Sequence, residues 1–479
     1  MKPLLIAGLA IILTLFVFAR RGDARSQMQN RSAPTIAARA RGNVKVIVTS
    51  ADKKFAEQTP LSWSAASGAG DARIVIDGSK KYQDVLGFGA AFTDAACFMI
   101  NELPADSRAK LMKDLFSTDS LGLNVNRVCM GASDYATHLY SYDDGDEPDP
   151  ELKRFSIAHD EKYILPVIKQ AREINPDIFL FASPWSPPGW MKANKSMLGG
   201  SMRQFYFPSY AQYFVKFLKA YEANGVPVQG VTIQNEVDTD QDGRMPACAW
   251  PQEYEVGFIA NHLGPAFEKE GMKTKIWFID HNYNLWGRAQ ASLEDANFRK
   301  YVDGIAWHGY VGDASKITDV HNAFPTINMY WTEGGPDVTN ADYAVDWAKW
   351  GKSFTGNLRN WCRSITAWNF ALDEEGKPNI GPFPCGGVVT IDKKSKEIRH
   401  SGQYYALGHF SKFVKRGAKR IDSTASVEGI DHVAFENPDG QRVAVVTNSG
   451  AARSVSLKDG DNTVDLKLEP NSVTTLLWE

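Results

Sequence analysis

Residues 231–238 read V-T-I-Q-N-E-V-D. Val226, Val228, Val231 and Ile233 recur as the apolar face of a buried strand does. The run then ends on the amide of Asn235 and the carboxylate of Glu236. A parallel barrel keeps its chemistry at the carboxyl ends of its strands, where polar groups leave the core. Residues 327–335, I-N-M-Y-W-T-E-G-G, have the same shape and end on Glu333 and two glycines. Two strand-end glutamates, far apart in sequence, predict a carboxylate pair at one barrel mouth.

The rest of the chain supports a barrel. From residue 85, strand patterns at 85–92, 124–130, 178–182, 226–233, 275–280, 304–307, 326–332 and 364–370 alternate with helical ones, among them 210–224, 251–270 and 341–361. Eight strands with right-handed crossovers close into a (β/α)8, or TIM, barrel. Short strands at 44–50, 61–65 and 72–77 precede any helix and so lie outside that alternation. After residue 381 the hairpin signals return, at 388–392 and 397–400. A helix at 402–414 follows, then strands at 432–436, 442–448, 454–457, 464–468 and 473–478, with an N-P-D-G turn at 437–440. The expected fold is α/β: a TIM barrel with an associated β-sandwich built from N-terminal and C-terminal strands. The expected boundaries are 43–84 for the N-terminal sandwich strands, 85–400 for the catalytic barrel and 401–479 for the C-terminal sandwich.

Residues 4–19 form an apolar run behind Lys2, short for a membrane span and of signal-peptide length. Residues 1–24 are expected to be a signal peptide or an uncleaved N-terminal anchor, and 25–42 a linker rich in Arg, Ala and Ser. The protein is therefore expected to be exported, secreted or periplasmic, or anchored by that N-terminus. Over 479 residues the net charge is −3, which points to no nucleic acid and no anionic surface. The five cysteines are scattered and form no C-x-x-C pair, so neither a disulfide framework nor a zinc site is expected. Aromatic residues make up 11% of the chain, including 13 Trp, a composition suited to stacking against sugar rings or to large cores.

Two carboxylates at a sugar site act as nucleophile and acid at about 5 to 5.5 Å separation, or as acid and base across a water at a wider one. Arg127, inside a neighbouring strand, can hold one of them ionised. The carboxyl left unpaired would keep a higher pKa and serve as the acid. Asn235 can bond a sugar hydroxyl, the Tyr310 phenol can bond the nucleophile, and Trp185 and Trp368 can stack on a pyranose. His308 is either part of that site or a packed barrel histidine. Residues 238–243, D-T-D-Q-D-G, imitate half a calcium loop, but Ala249 stands where a bidentate Glu is needed, so the loop is expected to be solvated. No metal and no cofactor are expected.

The chain resembles glycoside hydrolase family 30, which holds lysosomal glucosylceramidase and microbial β-1,6-glucanases and xylanases. The resemblance rests on G-F-G-A-A-F-T-D-A (87–95), N-R-V (126–128), A-S-P-W-S-P-P-G-W-M-K (182–192), I-Q-N-E (233–236), W-T-E (331–333), A-W-N-F-A-L (367–372) and L-G-H-F-S-K-F (407–413). It implies a barrel with a side β-sandwich. It implies Glu236 as acid/base and Glu333 as nucleophile, with Arg127, Asp134, Trp185, Asn235, His308, Tyr310 and Trp368 around the sugar. Many members have Pro after the acid/base, where this chain has Val237. The implied activity is retaining hydrolysis of β-glucosides, glucosylceramidase-like or glucan-derived, through a covalent glycosyl-enzyme. The alternatives are an endo-β-1,6-glucanase, a β-xylosidase or xylanase and, remotely, a non-catalytic carbohydrate-binding barrel. The implied partner is a β-linked glycan or glycolipid. Membrane contact is expected only through an uncleaved N-terminus or a glycolipid substrate.

Overall fold

The computed structural model describes residues 42–64 and 72–479. The signal, anchor and linker expectations fall almost wholly on residues 1–41, outside the described residues. No helix among the described residues is long and apolar enough to cross a membrane.

Eight parallel strands close a barrel in chain order: Gly87–Phe92, Val125–Cys129, Phe179–Ser183, Gly230–Thr232, Lys275–Asn282, Val302–His308, Asn328–Glu333 and Cys362–Asn369, the last pairing back to the first. Their residues are buried almost throughout, as in a sheet covered on both faces. Gly89 marks the closest approach. A Cβ there would lie 2.0 Å from the Val125 carbonyl oxygen, so the first two strands meet only over glycine. The fourth strand is shorter than its apolar pattern suggests, three residues, because the chain turns outward before Asn235. The helix expected over 251–270 is split by a π turn at Ile259–Leu263. Pro265 explains this: its ring crowds the carbonyl four residues back and supplies no N–H, so the preceding turn widens.

Of the remaining strands, Ala371–Leu372, Val389–Ile391 and Ile398–His400 form a small three-stranded sheet, and the other nine form one sheet. Its order is Asn462–Leu468, Arg453–Asp459, Arg73–Asp84, Lys419–Ala425, Ile430–Glu436, Arg442–Asn448, Ser472–Trp478, Val44–Ser50 and Lys53–Leu61. The sheet folds over until its two ends meet in a backbone bridge between Ser64 and Thr463, each N–H donating at 2.9 Å. The period of two sorts its side chains. Val44, Val46 and Val48 join Ile74, Ile76, Leu457 and Leu466 inside the fold, while Ile47, Val433, Val445 and Val473 face the barrel core. The expected strand at 61–65 is replaced by Lys53–Leu61, whose polar sequence suits an edge position.

The helix Gly402–Ser411, expected with the sandwich, lies between sheet and barrel. Its Phe410 meets Phe88 of the first barrel strand, ring centroids 6.0 Å apart. Its His409 is fully buried between two sheet hydroxyls, Nδ1 2.8 Å from Thr475 Oγ1 and Nε2 2.8 Å from Thr49 Oγ1. Thr475 donates its own proton to the His409 carbonyl, so Nδ1–H donates to Thr475; burial favours the neutral ring, whose Nε2 then accepts from Thr49.

Burial pushes the His409 imidazole down to about 3. Below about pH 6.5 the unfolded chain therefore binds a proton here that the folded chain refuses, and stability is lost as pH falls. The expected slope is about 1.4 kcal/mol per pH unit from this ring. Urea unfolding of His409→Gln between pH 6 and pH 4 should show a slope shallower by about that amount, and an unchanged slope contradicts the assignment.

Candidate active site

Arg127 organises the barrel mouth. It is fully buried on the second strand, and three strand ends converge on its guanidinium. Nη1 donates to Glu333 Oε2 at 2.5 Å, Nη2 to Asp280 Oδ2 at 2.7 Å and to Asn235 Oδ1 at 2.8 Å, and Nε to Ser183 Oγ at 3.1 Å. Asp280, at the end of the fifth strand, is further held by Thr232, Ser183 and Thr332 hydroxyls and by His308 Nε2 at 3.1 Å. Burial alone would raise its carboxyl, but Arg127 and His308 outweigh that and keep it well below the usual carboxylate range. Arg127 thus meets both a catalytic candidate and a structural counter-ion. Asp280 carries no signal in the sequence beyond its place at a strand end.

The two glutamates face each other across the mouth. One carboxylate oxygen of each, with a ring nitrogen of His308, lie within 4.8 Å of one another. Glu333 also accepts from the Tyr310 hydroxyl at 3.1 Å. Glu236 is held by His281 Nε2 at 3.2 Å and His308 Nδ1 at 3.3 Å, both on Oε1, and by Gln241 Nε2 at 2.7 Å on Oε2. Its backbone is left-handed, φ 59°, and opposes Ile279 and Asp280 at φ 71° and 45°. Left-handed non-glycine residues cost about 1 to 3 kcal/mol each and collect at functional sites. The Glu236–His308–Glu333 trio has the donor types of a metal site. However, Arg127 already brings a fixed positive charge onto Glu333, and both His308 nitrogens have carboxylate partners. The trio is better read as an ion-paired carboxylate dyad.

The charge pattern corrects one expectation. Neither carboxyl is unpaired. Burial opposes ionisation of Glu236, but His281 and His308 outweigh it and hold the carboxyl below its ordinary range. Burial raises Glu333, helped by the charges of Glu236 and Asp280 and resisted by His308 and Arg127.

Every residue expected around the sugar lies at this mouth, in different ways. Asp134, Trp185, Asn235, Tyr310 and Trp368 line, with the two glutamates, a cleft of about 440 Å3. Asp134 is buried, and no group among the described residues bonds its Oδ1. Burial and then the two glutamates push its carboxyl well above the usual range, leaving a protonated or thirsty group for a hydroxyl. Trp185 and Trp368 are only 2% exposed and stack on each other, centroids 4.9 Å and planes 20° apart, over Arg127. They therefore serve as wall and cation cover more than as an open stacking platform. His308 belongs to the dyad and is also fully buried and satisfied. Sequence reasoning missed His281 and Gln241. Residues 238–243 are not simply solvated: Gln241 reaches in to Glu236, and Asp238 Oδ1 pairs with His281 Nδ1. A larger cavity, about 610 Å3, belongs to the nine-stranded sheet, where Val46, Val48, Leu61, Val455 and Leu466 share the lining with Lys53, Lys467, Asp465 and Glu469.

With this geometry in hand, comparison decides the family. The profile of the Glycosyl hydrolase family 30 TIM-barrel domain matches residues 85–414, and that of the Glycosyl hydrolase family 30 beta sandwich domain matches 417–476. The chain belongs to glycoside hydrolase family 30 and is a glycoside hydrolase. It is 33% identical to an endo-1,6-beta-D-glucanase of Neurospora crassa over 84% of this chain and 87% of that one. It is 31% identical to the lysosomal acid glucosylceramidase of Mus musculus over 85% and 83%. A solved endo-beta1,6-glucanase superposes with a TM-score of 0.83 at 29% identity, over 91% of this chain and 99% of that one.

Arg127→Met leaves Asp280 and Glu333 buried without their cation. Such a change should cost about 3 to 5 kcal/mol of unfolding free energy. Denaturant titration of the variant checks this, and a loss under about 1 kcal/mol contradicts the account of the mouth.

Proposed function

We propose that this glycoside hydrolase acts with retention on β-glucosides, glucan-derived or glucosylceramide-type, with Glu333 as nucleophile and Glu236 as acid/base. The observation that carries the reading is the carboxylate dyad, with oxygens within 4.8 Å. That separation matches double displacement, since an inverting pair needs about 6.5 to 9.5 Å to admit its water.

The roles follow from the partners. Glu333 faces the Arg127 guanidinium, which does not release a proton, and the Tyr310 hydroxyl. Burial and the charges of Glu236 and Asp280 raise this carboxyl, while Arg127 and His308 resist that, and cationic character growing at the anomeric carbon favours the anion that attacks. Glu236 faces the His281 and His308 rings and the Gln241 amide and, among the described residues, no guanidinium. It is the group that can be recharged between turnovers. In the first step a Glu333 oxygen bonds the anomeric carbon, the bond to the leaving oxygen breaks, and the Glu236 proton goes to that oxygen. In the second, water attacks the same carbon from the opposite side, gives its proton to Glu236, and the Glu333 ester bond breaks. Asp134 and Asn235 are placed to take sugar hydroxyls.

A second reading, endo-β-1,6-glucanase, keeps this mechanism and is favoured by the Neurospora crassa relative and the solved glucanase. Export remains a proposal carried by the apolar run at residues 4–19.

Glu333→Gln should abolish turnover of an aryl β-glucoside. Glu236→Ala should lower it by about 10²- to 10⁴-fold for poor leaving groups, and with an activated aryl β-glucoside azide should restore turnover as β-glucosyl azide. Unchanged rates in either variant overturn the roles. Product analysis on β-1,6-gluco-oligosaccharides and glucosylceramide separates the two substrate readings.

A further inference from the structure

His281 belongs to no motif quoted above, yet it touches Glu236. It stands at the end of the fifth strand, 8% exposed, with Nε2 3.2 Å from Glu236 Oε1. Its Nδ1 pairs with Asp238 Oδ1, two residues beyond Glu236 in the loop that follows the fourth strand. The ring is therefore clamped at both nitrogens by carboxylates. An imidazole can satisfy two carboxylate acceptors at once only as imidazolium, with both nitrogens donating. The fold pays particular attention to this spot: Glu236 and Asp280, the residue before His281, are both left-handed, and the Glu236 N–H donates to the Asp280 carbonyl at 3.0 Å.

We propose that His281, clamped by Asp238, is a positioning residue that orients the Glu236 carboxyl and sets when it carries a proton. The proposal rests on Glu236 being the acid/base. The imidazolium favours the carboxylate, the form that takes a proton from water in the second step, and works against the acid form needed in the first. The other charged or titratable groups facing this ring are few. His308 stands edge-on, ring centroids 5.7 Å apart, and Asp280 is adjacent in the chain. Arg288 acts on Asp238 at longer range. Burial opposes charge on His281, but Glu236 and Asp238 outweigh it and raise the ring to about 10, in agreement with the geometry. His281 makes and breaks no covalent bond with the sugar.

The sign of the effect follows. Removing the cation lets Glu236 hold its proton to higher pH, so the basic limb of kcat/KM moves up. For His281→Gln, the shift expected from losing one adjacent charge is about one unit or more. Asp238→Asn keeps the ring, weakens its charge and should move the same limb less, in the same direction. Because the Glu236 carboxyl also loses its orientation, the kcat/KM loss in His281→Gln should be larger for methyl than for 2,4-dinitrophenyl β-glucoside, whose leaving group needs no acid. A basic limb that stays at the wild-type position in both variants, or a loss independent of leaving group, overturns the proposal. Asp238→Asn alone decides if His281→Gln fails to fold. Failure of azide to rescue Glu236→Ala would sink the underlying role of Glu236 instead, so the two failures are told apart.

Discussion

A guanidinium with no exposed surface must be neutralised where it stands, and at this barrel mouth that requirement arranges everything else. Arg127 sits on the second strand and draws Asp280 from the fifth and Glu333 from the seventh within hydrogen-bond distance. Asn235, from the turn after the fourth, caps the same Nη2. A single buried cation thus registers four strand ends against one another. Ion pairs of this kind contribute little net stability against apolar packing. What they supply is position, and position is what a two-carboxylate mechanism needs.

The second constraint is charge balance between the glutamates. Three acidic groups, Glu236, Asp280 and Glu333, crowd around His308, whose nitrogens bridge Glu236 and Asp280. A pair of carboxylates at this separation cannot both ionise without help. The help is unlike on the two sides: a guanidinium and a phenol for Glu333, two imidazole rings and the Gln241 amide for Glu236. On the proposed roles, unlike tasks fall to like side chains by the company each keeps.

Much of this was legible in the sequence. Alternation of strand and helix from residue 85 implies the barrel, and the apolar runs ending in N-E and W-T-E locate both glutamates. Family motifs around Trp185 and Trp368 place the walls. What was not legible depends on tertiary approach. Lys53–Leu61 reads as loop because an edge strand needs no apolar alternation. Asp280 and His281 carry no periodic or motif signal; their meaning comes from Arg127 and Glu236, which reach them across the barrel. Gln241 and Asp238 looked solvated because nothing local shows that the loop folds back over Glu236. The unlike partners of the glutamates were out of reach for the same reason, so the sequence reading expected one unpaired carboxyl and the structure has none.

The central claim is that Glu333 forms a bond to the sugar while Glu236 only moves protons. It is tested most directly by trapping: incubation with 2-deoxy-2-fluoro-β-glucosyl fluoride, then intact-mass measurement and peptide mapping. The account predicts one glycosyl adduct per chain, on the peptide carrying Glu333. An adduct on Glu236, or rapid turnover of β-glucosides by an enzyme that never forms an adduct, would contradict it.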